Sequence, residues 1–219
     1  ITKSRASGAK PKVVNKPVPP DYKTKLLQDQ GTNYMQNYKD VLAEVLIEAE
    51  PLQARIKELG VQISADYPDG DLLLICILRG GVPFMVDLSR NITSPHMMDF
   101  MAVSSYGAGK RESTGSARVT LDLQTDIRGK DVLLIEDIVD SGHTIASVLN
   151  MLETRQPKSL KVCALLDKPE RREAHVPIHY LGFTIPNKFV FGYGLDLDEY
   201  YRNLTFVGVV DLEKYKPPT

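Results

Sequence analysis

The chain has 219 residues, 42% hydrophobic and 25% charged, with a formal net charge of −1. That composition is ordinary for a globular protein, and it excludes collagen-like, wholly disordered and disulfide-scaffold readings. The near-zero charge leaves no electrostatic footprint for nucleic acid or an acidic membrane surface, and no apolar run approaches the ~18 residues of a membrane span.

Residues 1–33 are expected to form a basic, proline-rich tail. Lys3, Arg5, Lys10, Lys12 and Lys16 precede any acid, and Pro11, Pro17, Pro19 and Pro20 lie among them. Such a stretch lacks the apolar surface to fold alone. A targeting remnant or a basic contact arm is the alternative, since the chain begins with isoleucine. Residues 34–219 then form the folded domain, with a core over about 52–168 and a smaller lobe from 34–51 and 169–219.

Leu52, Ile56, Leu59 and Ile63 recur at helical spacing, and Pro51 suits a first helical turn. The unbroken apolar run from Leu72 to Leu78 predicts a strand buried on both faces, ending at Arg79-Gly80-Gly81. A helix follows over Val82 to Asn91, then a strand over Phe100 to Ser104. Tyr106 to Ser116 is polar and glycine-rich, hence a long mobile loop. Val119 to Leu123 alternates as an antiparallel strand would. Asp131 to Ile135 is a second buried strand, followed by a helix that places Ile145, Val148, Leu149 and Leu152 on one face. Leu160 to Leu166 is a third buried strand. Phe183, Phe189 to Phe191 and Phe206 to Val210 are shorter strands of a side lobe or a sheet edge. Strands alternating with helices imply right-handed crossovers and a doubly wound parallel sheet of the α/β class.

Cys76 and Cys163 each sit inside an apolar run, so both read as buried reduced thiols in a cytoplasmic setting. No Cys or His spacing matches a zinc site.

Ligands of open parallel sheets bind where strands give way to helices. Glu136 to Thr144 falls at such a place. Asp140-Ser141-Gly142-His143-Thr144 offers one glycine and two hydroxyls at a helix N-terminus, where free N–H groups and the helix dipole favour phosphate. The spacing is not that of a Walker A loop. Glu136 and Asp137, two acids leaving a strand, would repel phosphate but could accept sugar hydroxyls or hold Mg²⁺. Together they describe a pocket for a ribose 5-phosphate. The plainer alternative is an N-cap by Asp140 or Ser141 with the other acids solvated. For Arg79-Gly80-Gly81 it is an ordinary strand-to-helix turn.

The run from Val132 to Thr144 resembles the signature of type I phosphoribosyltransferases, in the form of the hypoxanthine-guanine branch. Leu78-Arg79-Gly80-Gly81 resembles that branch's pyrophosphate loop, and Ser105-Tyr106 the opening of its mobile active-site loop. Leu165 to Lys168 and Lys188 to Asp196 resemble its purine-binding segments. Tyr200-Tyr201-Arg202 resembles its late arginine. The resemblance covers about Leu52 to Val210.

The resemblance implies a small hood lobe beside the sheet and transfer of a 5-phosphoribosyl group from phosphoribosyl pyrophosphate to a 6-oxopurine, hypoxanthine or guanine, with Mg²⁺. It assigns Asp140 to Thr144, His143 included, to the 5-phosphate, and Glu136 and Asp137 to the ribose hydroxyls and the metal shell. Asp140 is the implied acid–base group at the purine N7. Arg79, Gly80 and Arg202 fall to pyrophosphate and Asp196 to a second Mg²⁺. Lys168, Lys188, Phe189, Val190 and Leu195 fall to the base, with Phe189 stacking and Lys168 donating to the 6-oxo group. Ser105 and Tyr106 would be the working tip of a lid. A cis peptide is implied at Leu78–Arg79. The family usually has lysine where this chain has Arg79; arginine keeps the charge and adds bidentate geometry. His143 carries no implied catalytic role. A homodimer or homotetramer is expected, without membrane or nucleic-acid partners. A xanthine-preferring transferase, or a regulator that keeps the fold and reads nucleic acid, are the alternatives.

Overall fold

A computed structural model describes residues 36–105 and 117–217. The readings of the basic tail over 1–33 and of the lid around Tyr106 therefore lie outside the described residues. Ser105 is described only as the last residue of a strand.

The described elements run in the order α1 (Tyr38–Val41), β1 (Leu42–Ile47), α2 (Ala49–Asp66), β2 (Leu72–Ile77), α3 (Val82–Asn91), β3 (His96–Ser105), β4 (Ala117–Leu121), β5 (Asp131–Val139), α4 (His143–Glu153), β6 (Ser159–Asp167), β7 (Tyr180–Thr184), β8 (Val190–Phe191) and β9 (Val207–Val210). The main sheet has the order β4-β3-β2-β5-β6-β7. β3, β2, β5, β6 and β7 run parallel, and β4 closes one edge antiparallel to β3.

The apolar runs are explained by this sheet. Leu72, Leu74 and Cys76 of β2 face one way with Leu133 and Ile135 of β5, packing under Leu52, Ile56 and Leu59 of α2 and Phe84 and Leu88 of α3. Leu73, Ile75 and Ile77 face the other way with Val132 and Leu134, against Ile145, Val148 and Leu152 of α4. A period of two with both faces apolar is what a covered central strand requires. α2 and α3 cross closely, because a Cβ at Gly60 would lie 2.6 Å from Asn91. Both cysteines are free and buried. Among the described residues no helix is long and apolar enough to cross a membrane.

The structure departs from the sequence reading at several points. β3 begins at His96, because β2 pairs with it from Leu72↔His96 onward. β5 does not stop at Ile135. Glu136 pairs with Ala164 and Val139 with Asp167, so Glu136 and Asp137 lie within the strand instead of leaving it. Of the two readings open for Phe183, side lobe or sheet edge, the structure has the second: Tyr180–Thr184 pairs with β6 on the main sheet's edge, although the division of the chain put residues 169–219 in the smaller lobe. That corrects the division at residue 168. The smaller lobe is the antiparallel sheet β1-β9-β8, backed by Val41, Phe191, Leu197 and Val210.

β3 lies on one side of β2, whereas β5 lies on the other. The strand order thus switches direction between β2 and β5, which opens a crevice at their C-terminal ends. Residues 78–81 and 136–144 both emerge there.

Candidate active site

Two groups of contacts form around the crevice. The first hangs on β5 after Val139. Val139 O accepts from Lys168 N (3.0 Å) and Arg172 Nη2 (3.1 Å), and Asp140 O accepts from Arg172 Nε (3.2 Å). Ser141 O accepts from the amides of Glu173 (2.9 Å) and Ala174 (3.0 Å). Three consecutive carbonyls thus turn toward residues 168–174. In a trans peptide the following N–H points the opposite way, so the amides of Asp140, Ser141 and Gly142 point away from residues 168–174. Gly142 makes this turn at φ +89, and a Cβ there would lie 2.6 Å from Ala174 O. α4 then starts at His143 with no side-chain cap. The N-cap reading of Asp140 or Ser141 is therefore wrong. The first amides of α4, including that of Thr144, lack intrahelical acceptors, as at any helix start.

Asp140 instead meets cations: Lys168 Nζ at 3.4 Å and Arg171 Nε at 3.1 Å. Lys168 is 6% exposed, so it is no solvated strand-end lysine. Arg172 also pairs with Asp167. His143 Nε2 lies 2.9 Å from Glu173 Oε2. Sequence reasoning missed Arg171, Arg172 and Glu173. The available signal was Pro169 opening a short 3₁₀ turn with basic residues close behind Lys168.

The second group surrounds Gly80. The Leu78–Arg79 peptide is cis, as the family resemblance implied. A Cβ at Gly80 would overlap Asp137 Oδ2, and one at Gly194 (φ +98) would overlap Gly80 O. Asp137, Gly80 and Gly194 are therefore stacked in direct contact, and side chains at these two glycines are excluded by space. Arg202 Nη1 donates to Gly194 O (2.9 Å), and its Nη2 reaches Asp196 Oδ1 (3.0 Å) and Glu199 Oε2 (3.2 Å). Glu199 also binds Arg79 Nη1 at 2.6 Å. Its carboxyl is held below the usual range, chiefly by the hydrogen bond from Arg202. Glu199 thus couples the two arginines, a role its place in an irregular segment did not disclose.

The acid pair joins the two groups. Burial pushes the Glu136 carboxyl well above the usual range, and the charge of Asp137 adds to this. Glu136 Oε2 is buried without a hydrogen-bond partner. Burial likewise pushes Asp137 up to about 6; Ile138 N and Arg202 oppose this, and Asp196 adds to it. An orphaned buried carboxylate oxygen is costly unless something comes to satisfy it.

Of the purine candidates, Lys168 follows β6 of the main sheet, whereas Lys188, Phe189, Val190 and Leu195 lie in or beside β8 of the smaller one. Phe189 is 46% exposed and sits 6.5 Å from the Tyr215 ring, between centroids. Val190 and Leu195 are buried. β8 is an edge strand, so one side of its backbone has no strand partner among the described residues. Lys188 pairs with Glu44 of β1. Among the described residues no three metal-ligating side chains converge. Asp196 lies near enough for its charge to act on Asp137, and its two oxygens are taken by Arg202 and by the Glu199 amide.

A family model described as the phosphoribosyl transferase domain matches residues 46–198. The chain belongs to that family. It is 51% identical over 185 residues to the hypoxanthine-guanine phosphoribosyltransferase of Mycobacterium avium, covering 82% of this chain and 91% of that protein. It is 49% identical over 171 residues to the hypoxanthine phosphoribosyltransferase of Escherichia coli K12, covering 77% and 96%. The crystal structure of a Staphylococcus aureus hypoxanthine phosphoribosyltransferase superposes with a TM-score of 0.78 at 43% identity, covering 84% of this chain and all of that one.

Proposed function

We propose that this chain moves a 5-phosphoribosyl group from phosphoribosyl pyrophosphate to hypoxanthine or guanine, releasing pyrophosphate. The observations that support this are the turn at 140–144, whose carbonyls are taken by residues 168–174 and which opens a helix, and the partnerless buried oxygen of Glu136 earlier on the same strand. An anion site beside a hydroxyl-accepting site is what a ribose 5-phosphate requires. The relatives' names support the choice of base.

The loop amides, with the hydroxyls of Ser141 and Thr144, hold the 5-phosphate, and His143 borders it. Glu136 and Asp137 accept the ribose hydroxyls. A hydroxyl donor there satisfies Glu136 Oε2. Arg79, Gly80 and Arg202 receive the pyrophosphate. Phe189 stacks on the base, while Val190, Leu195 and Lys188 border it. Lys168 donates to the 6-oxo group; adenine would present N–H to N–H there. Asp140, beside Lys168, holds or moves the proton at the purine N7.

Carboxylate oxygens of Glu136 and Asp137 suit a hard cation that binds through one or two carboxylates plus substrate oxygens, and Asp196 suits a second once Arg202 turns to pyrophosphate. When bound, Mg²⁺ supplies charge neutralisation for the departing pyrophosphate. We place the enzyme in a reducing, cytoplasmic compartment, which two free buried thiols suit. We further propose a homodimer or homotetramer, with the exposed Met97 and Met98 of β3 as contact candidates.

The test is a competition among hypoxanthine, guanine, xanthine and adenine for phosphoribosyl pyrophosphate. Hypoxanthine or guanine should win and adenine should be inert. Preference for xanthine would overturn the choice of base, and nucleotide from none of them would overturn the reaction.

A further inference from the structure

The turn that carries Gly194 is held from behind by a hydrogen-bond group, anchored on the buried Tyr193, outside the substrate residues named above. Tyr193 Oη donates to Asp87 Oδ2 of α3 at 2.7 Å. Gln53 Nε2 of α2 donates to the same oxygen at 2.8 Å and approaches Tyr193 Oη at 3.3 Å. Tyr193 is 5% exposed, and its φ of +46 lies in the region that favours glycine. Its backbone therefore needs an outside hold, and the side chain provides one. Burial and the neighbouring Asp87 both keep the phenol protonated, so it remains a donor.

The consequences run forward through contacts already described. Gly194 N donates to Arg202 O at 2.8 Å while Arg202 Nη1 returns a bond to Gly194 O at 2.9 Å. The bare Cα of Gly194 rests on Gly80 O, and the bare Cα of Gly80 rests on the Asp137 carboxylate. A shift of the 192–194 turn would move Gly80 and Arg202 together, leaving the cradle at 140–144 and Lys168 in place.

We propose that Tyr193 and Asp87 are positioning residues for the pyrophosphate half of the site, acting through Gly194 on Gly80 and Arg202. This rests on the reading of the site as a phosphoribosyl pyrophosphate pocket. Neither side chain touches substrate; they set where the receiving groups stand. Small displacements of such groups cost catalysis heavily because the reacting geometry is narrow.

The experiment compares wild type with Tyr193→Phe, Asp87→Ala and Asp87→Asn. Steady-state kinetics are read together with amide hydrogen exchange over residues 79–85 and 192–202. Tyr193→Phe and Asp87→Ala should each raise KM for phosphoribosyl pyrophosphate about five- to twentyfold. KM for hypoxanthine should rise less than about half as much, since Lys168 and Phe189 lie outside the chain of contacts and only Leu195, next to Gly194, lies within it. Asp87→Asn keeps an oxygen acceptor for Tyr193 and should restore the wild-type KM. Exchange should quicken in both segments in the first two variants and stay at wild-type rates in the third. An unchanged KM for phosphoribosyl pyrophosphate with unchanged exchange would overturn the proposal. So would an equal loss toward both substrates, the mark of general destabilisation. Should Asp87→Ala fail to fold, Tyr193→Phe with Asp87→Asn decides it. A wild type that makes no nucleotide would sink the transferase reading instead; exchange would then decide the clamp alone, quickened rates sustaining it and unchanged rates overturning it.

Discussion

Asp140 sits between a buried lysine and an arginine at the end of β5, with its side chain 43% exposed. Asp140→Asn keeps the shape and removes the proton acceptor. We expect kcat to fall by about 10²-fold or more, with melting temperature nearly unchanged, in paired turnover and thermal-melt measurements. Asp137 gives the opposite trade. Its carboxyl is pushed up to about 6 by burial, and Glu136 moves the same way. The folded chain therefore binds protons that the unfolded chain has released above pH ~4. The stability tied to this is fully present below pH ~4 and is lost as pH rises through about 6. Asp137→Asn should stabilise the unliganded protein at pH 8, on the order of 1–3 kcal/mol, and lessen the fall of stability between pH 4 and 6, Glu136 keeping its own share, while abolishing turnover. Denaturant melts across that range check both parts. The acids, Lys168 and the Arg79 loop were singled out in sequence because they fall within motifs that resemble the family's, at the family's spacing. Arg171 and Glu199 were not, because their importance comes from partners distant in the chain. Gly80 was legible for a different reason from the one the structure gives: its missing side chain makes room for Asp137.

At the scale of elements, α2, α3 and the three buried strands followed from apolar period and turn residues, since both faces of a covered sheet must be apolar. The extent of β5 did not follow. Charged residues inside a central strand look like its end until pairing with β6 shows otherwise. β7 stayed ambiguous between the smaller lobe and the main sheet's edge, because a short strand carries no mark of which sheet it joins. The turn between β5 and α4 depends on Gly142 at φ +89, with Ala174 O against its Cα. Gly142→Ala should cost about 1–2 kcal/mol of stability from the backbone alone, more if Ala174 cannot yield. It should also weaken binding of phosphoribosyl pyrophosphate while leaving the smaller lobe folded. Denaturant unfolding and calorimetric titration with that substrate read the two effects separately.

Across the whole molecule, in the proposed reading the ends of the main sheet's strands carry the phosphate loop and Gly80, and the segment around the smaller sheet carries Phe189 and Arg202. Ile47, Val190, Val207 and Val209 of the smaller sheet share the hydrophobic cluster of β2, β5 and α2, and Gly194 rests on Gly80 beside it. No metal-ligating triad among the described residues ties the fold together. Chelation of Mg²⁺ should therefore stop turnover without lowering the melting temperature of the unliganded protein, and added Mg²⁺ should raise that temperature only when phosphoribosyl pyrophosphate is present. The most direct measurement mixes purified protein with phosphoribosyl pyrophosphate, Mg²⁺ and hypoxanthine and quantifies both products. Inosine 5′-monophosphate and pyrophosphate should appear in equal amounts, and pyrophosphate should stay negligible when the base is omitted. Pyrophosphate release without nucleotide, or neither product with any 6-oxopurine, would contradict the assignment.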